Sequence, residues 1–200
     1  MKDMFNECDF NGDISGWNVS KVKHMSGMFA YSPFTGDISD WDVSSVRDMS
    51  RMFKESQFNG DISRWDVTRV RFMSEMFSES VFNGDISGWD VSKVEDMKEM
   101  FEGSQFTGDL SKWRFGSKME SMSRMFVSAK FNGDISGWNV GNVKNMSMMF
   151  AFSKFDQDIS GWDINDECMM NGMFYRSDMR DEFKPPIVLM IEKETAKRQK

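Results

Sequence analysis

Apolar side chains recur along this chain with a period of 24 residues. Trp stands at 17, 41, 65, 89, 113, 138 and 162, so every step is 24 except one of 25. Phe keeps the same period at 10, 34, 58, 82, 106, 131 and 155, and a Met-Phe pair recurs from Met4-Phe5 to Met173-Phe174. The unit reads F-N-G-D-I-S-x-W-D-V-S-x-V-x-x-M-S-x-M-F-x-x-S-x. Seven Trp-bearing units lie between a leading and a trailing half-unit. A fixed period of this length marks a solenoid, propeller or array. A 24-residue unit is too small to bury its own apolar face, so it must stack on its neighbours.

Two finer patterns sit inside each unit. Trp17-Asn18-Val19 alternates apolar, polar, apolar, which predicts a short strand with Trp and Val facing in. Val22, Met25, Met28 and Phe29 form the stripe of a short helix. Ser20, Ser44, Thr68 and Ser92 stand before that stripe as N-caps. Asn11-Gly12, Asn59-Gly60, Asn83-Gly84 and Asn132-Gly133 read as tight turns. Stacking such units gives parallel strands on one side and short helices on the other. Each Trp is expected to be buried beside the Trp of adjacent units, its N–H meeting a backbone carbonyl.

The phrase F-N-G-D-I-S-x-W-D-V-S-x-V-x-x-M-S-x-M-F resembles the repeat of the BspA-like leucine-rich-repeat surface proteins over about residues 4–177. It is most similar to their Trp- and Met-rich branch, which includes mycoplasma-type surface lipoproteins. The resemblance implies an α/β repeat: a leucine-rich-repeat-like right-handed solenoid, each unit a short strand plus a short helix. It further implies a role in surface interaction or adhesion, a cell-surface or extracellular address, and no catalytic residues. This chain departs from secreted members at Met1–Glu7, which lacks the apolar stretch of a signal peptide.

Composition narrows the classes. No apolar run is longer than Ile187–Ile191, which is far short of a membrane span. The chain's net charge of −7 divides into −10 on residues 1–183 and +3 on residues 184–200, which argues against a nucleic-acid-binding surface. Two distant cysteines, Cys8 and Cys168, predict neither a disulfide framework nor a zinc site. A single histidine, His24, excludes any site needing two. The domain expectation is therefore a solenoid over 1–183. Lys184-Pro185-Pro186 ends it, and residues 184–200 supply a charged tail in which Ile187–Ile191 forms a capping strand over the last unit.

Candidate chemistry lies in three places. Asp13, Asp37, Asp61, Asp85, Asp109, Asp134 and Asp158 recur once per unit, so stacking aligns them as a column. Local turn-capping by each carboxylate is the first reading; a row of Ca²⁺ is the second, and no other cofactor is expected. The fifth unit carries the extra residue near Gly116, read as a surface bulge or as a bend that shapes a binding face. Basic residues gather in the second and third units: Arg47, Arg51, Lys54, Arg64, Arg69 and Arg71, with Phe72 apolar where its equivalents are polar. They are read as a solvated face or a partner patch. Acidic and hydroxyl residues repeat identically in every unit, and no P-loop, dinucleotide or H-E-x-x-H motif occurs. The sequence thus points to a non-enzymatic scaffold contacting another protein or a surface component. The alternative is a structural part of a larger assembly, with contacts made by its ends and tail.

Overall fold

A computed structural model describes residues 1–198. The units stack one on the next. In each before the last, alternate backbone N–H groups donate to carbonyls of the following unit. Met25, Gly27, Phe29 and Tyr31 donate to Asp48, Ser50, Met52 and Lys54 at 2.8–3.0 Å, and the pattern repeats down the chain. A second ladder runs the other way, from Arg47 N–H to the Lys23 carbonyl, Arg71 to Arg47, Glu95 to Arg71, Glu120 to Glu95 and Lys144 to Glu120.

The stripe read as a short helix is instead a chain of turns. Thirteen non-glycine residues and three glycines hold positive φ, two per unit and four residues apart: Arg51 and Glu55, Glu75 and Glu79, Glu99 and Gly103, and so on. Each left-handed residue interrupts helical winding. The backbone therefore closes successive four-residue turns, such as Met52 N–H to the Met49 carbonyl and Lys54 N–H to the Arg51 carbonyl. Those turns still send Met49, Met52 and Phe53 inward, which is why the spacing mimicked a helix. The Trp-x-Val segment carries no strand ladder. Parallel pairing is confined to single-residue bridges at His24, Asp48, Phe72, Asp96, Ser121, Asn145 and Met169.

Two columns of Phe rings form the centre. Phe29, Phe53, Phe77, Phe101, Phe126 and Phe150 stack with centroids 5.6–5.8 Å apart. Phe34, Phe58, Phe82, Phe106, Phe131 and Phe155 form a second column at 6.3–6.4 Å. Within a unit the two columns touch, as at Phe53–Phe58, 4.4 Å. The Asn-Gly dipeptide is not a tight turn. At Gly60 an added Cβ would stand 2.9 Å from the Phe58 ring, so glycine lets the ring lie against the backbone. Asn side chains bridge units instead: the Asn59 carboxamide oxygen accepts from Asn83 N–H at 2.8 Å.

Each indole from Trp41 onward donates Nε1–H to a carbonyl of the preceding unit, Trp89 to Ile62 at 3.2 Å and Trp138 to Leu110 at 2.9 Å. Among the described residues, however, indoles meet each other only at Trp113–Trp138 and Trp138–Trp162. Trp89 leans on Phe77 at 6.4 Å instead.

The end of the stack differs from expectation. Residues 181–183 form a 3-10 turn and Pro186–Arg198 an α-helix, here α1, not a capping strand. Pro186 is well suited to the first helical turn, where its missing N–H costs nothing. Val188 is buried against the last unit, while Met190 and Ile191 are exposed. In that unit Cys168 is buried, and burial pushes its thiol pKa up.

Candidate functional site: a cationic flank at the break in the repeat

The aspartate column is local architecture. Asp13, Asp37, Asp61, Asp85, Asp109, Asp134 and Asp158 each accept the backbone N–H of the Ser two residues on, at 2.8–2.9 Å. The Ser N–H is the main cause that holds the first six carboxyls below the usual range; at Asp158 the Ser160 hydroxyl leads. A second column was not anticipated. Asp42, Asp66 and Asp90 accept N–H groups from Ser44, Thr68 and Ser92, the residues read as helix N-caps. Their pKa values are lowered chiefly by the hydroxyls of those same residues. Among the described residues no group of three or more His, Cys, Asp or Glu is placed to hold a metal ion.

The basic residues separate into distinct settings. Arg64 pairs with Asp40 at 2.9 Å. Arg51 lies 3.7 Å and Lys54 2.5 Å from the Glu75 carboxylate. Neither group lines the groove that gathers the rest. That groove, about 510 Å³, runs across the second to fifth units and brings together Arg47, Arg69, Arg71, Lys93 and Lys118. Phe72 is exposed beside it, with the Arg71 guanidinium 5.9 Å from its ring centroid.

The unit-to-unit ladder explains the alignment. Arg47, Arg71, Glu95, Glu120 and Lys144 are consecutive rungs of the second backbone ladder, so their side chains emerge in one row. Arg69 and Lys93 stand two residues before the next rungs and form a parallel row. Arg71 is held by Glu95 at 2.5 Å and 2.9 Å, and Lys144 by Glu120 at 2.8 Å. Arg47, Arg69, Lys93 and Lys118 form no ion pair among the described residues.

The inserted residue shapes this place. Phe115 fills the inward slot that Val91 and Val140 hold in the neighbouring units, edge-on to Trp138 at 5.0 Å. Asn139 clamps its backbone on both sides, donating to the Phe115 carbonyl at 2.7 Å and accepting Phe115 N–H at 3.0 Å. Gly116 then passes so close to the fourth unit that a Cβ would stand 2.2 Å from the Ser92 carbonyl oxygen, which excludes any side chain there. Ser117 and Lys118 are thereby presented at the groove. The sequence located the insertion and part of the basic set. Lys93 and Lys118 escaped notice, although their place in the repeat register, beside Gly116, was a readable signal.

The family described as "Mycoplasma protein of unknown function, DUF285" matches residues 1–113 and 104–186. No curated protein and no solved structure matches the chain.

Proposed function

We propose that the chain, which belongs to the DUF285 family, a BspA-like repeat family, is a non-enzymatic scaffold that holds another protein or a surface component along its cationic flank. We place it in the Trp- and Met-rich branch and read its stack as a leucine-rich-repeat-like, right-handed solenoid. The observation that carries the reading is the groove at Gly116. It is the place where the repeat's register is broken, and four cations without ion-pair partners collect there on a chain of charge −7. Repetition supports the non-enzymatic assignment: carboxylates and hydroxyls perform the same turn-capping in unit after unit. On this reading the scaffold needs no cofactor, and the Asp columns serve structure.

A second reading, a component of a larger assembly, is favoured by the C-terminal end. Met169, Tyr175 and Met190 are each at least 50% exposed there. The two readings separate in one experiment. The purified chain is compared with an Arg47→Glu/Lys93→Glu variant and with a form lacking residues 184–200, for partner capture and for oligomeric state. The scaffold reading expects capture to fail only in the charge-reversed variant. Loss of capture or of self-association only on tail removal would replace it with the assembly reading.

A further inference from the structure

We infer that the groove beside Gly116 takes an acidic, extended polypeptide segment, an inference that rests on the flank-binding reading above. Four unpaired cations share the groove's lining, from Arg47 in the second unit to Lys118 in the fifth. Among the described residues none of the four is held in an ion pair, so their charge is available to an anionic side chain. Residues 1–183 carry −10 in all, so within the stack the groove stands out as a cationic place; the tail, at +3, is the other.

The arrangement selects among anions. Successive units are spaced like paired strands, about 4.8 Å apart, so three steps span about 14 Å. An extended chain covers that in about four residues. The row of ladder rungs is interrupted by Glu95 and Glu120, whose carboxylates face the same groove region. A continuous polyanion would be forced against both. A peptide avoids this by placing acidic side chains opposite Arg69, Lys93 and Lys118 and neutral ones opposite the two glutamates. Arg47 and Arg69 present planar guanidinium forks suited to bidentate carboxylate pairing. The exposed Ser117 hydroxyl is at hand for the peptide backbone.

The test uses the full chain and a fluorescent, unstructured peptide alternating Glu and Gly. A Gln-Gly peptide of equal length and single-stranded DNA serve as comparisons. Lys93→Glu and Lys118→Glu are the groove variants, and Arg64→Glu makes the same charge change away from the groove. Melting curves establish that each variant folds; all three sites are exposed. The acidic peptide should bind wild type and Arg64→Glu alike, and each groove variant about tenfold more weakly. Affinity should fall as salt rises, since exposed charges are screened. If the Gln-Gly peptide binds as well, with the same groove dependence, the flank-binding reading stands and the acidic specificity falls. DNA binding more tightly than the peptide would also overturn the inference. If no peptide binds, and the Arg47→Glu/Lys93→Glu change leaves partner capture intact, both readings fall.

Discussion

Trp89 shows how one residue serves two units. Its ring fills the core against Phe77, and its Nε1–H satisfies the Ile62 carbonyl of the unit before. Trp89→Ala removes both, leaving a cavity and an Ile62 carbonyl that keeps only its bond from the Trp65 N–H. Large-to-small aromatic changes in a core cost about 3–5 kcal/mol, so urea denaturation should show a loss of that order. Trp17→Ala should cost far less, because Trp17 is 40% exposed with no preceding indole acceptor row. Equal losses at the two sites would contradict the pairing just described. The left-handed residues give an opposite prediction. Ser128 holds φ 53° and is exposed. A non-glycine residue pays about 1–2 kcal/mol there, against about 0.5–1 kcal/mol of extra chain entropy for glycine. Ser128→Gly should therefore leave stability unchanged or raise it by up to about 1 kcal/mol, measured as a shift in urea midpoint; a clear loss would exclude a left-handed residue at 128.

At the scale of elements, α1 is the one helix of any length, and it lies against an unfinished edge. Met170, Gly172, Phe174 and Arg176 are equivalent to donors that reach the next unit elsewhere, and among the described residues their N–H groups find no acceptor. Between that edge and α1 is a gap of about 360 Å³ lined by Met170, Gly172, Val188 and Ile191. Lys184 ties the helix down through Asp181 at 2.8 Å and Glu192 at 3.0 Å. Deleting residues 184–200 should expose Phe174 and Met173 and lower the melting temperature or cause association, read by light scattering during a thermal ramp. A truncated chain that stays monomeric and melts like the full one would remove α1's capping role. The sequence, through the apolar run and the prolines before it, led to the expectation that this segment covers the end. It hid the helix, because five apolar residues have no periodicity and strand and helix are then indistinguishable. The same ambiguity misread the Met-Phe stripe: Val22, Met25, Met28 and Phe29 point inward in either geometry, and nothing in Glu75 or Arg51 announces a positive φ. What was legible was what repetition makes redundant, namely the register, the buried Phe and Trp positions and the Asp turns. The groove was legible only in parts, since Lys93 and Lys118 become neighbours of Arg47 through stacking.

Over the whole molecule, charge is divided between turn carboxylates and the cationic flank. Both Asp columns have pKa values lowered by Ser or Thr groups. A lowered folded-state pKa means stability that is fully present above the unfolded value, about 3.9, and is lost as pH falls through the folded values. Melting temperature should therefore hold from neutrality to about pH 5 and decline below about pH 4. A chelator should leave it unchanged at pH 7, since each capping oxygen is already engaged by its own turn. A drop of several degrees restored by Ca²⁺ would overturn that assignment. The central claim, that function resides on the flank at the broken register and not at the ends, is tested most directly by hydrogen–deuterium exchange of the full chain with and without the Glu-Gly peptide. The account predicts slowed exchange in the ladder around Arg69–Arg71, Lys93–Glu95 and Gly116–Glu120. Protection confined to the Met170–Arg176 edge and α1, or spread evenly over all units, would contradict it.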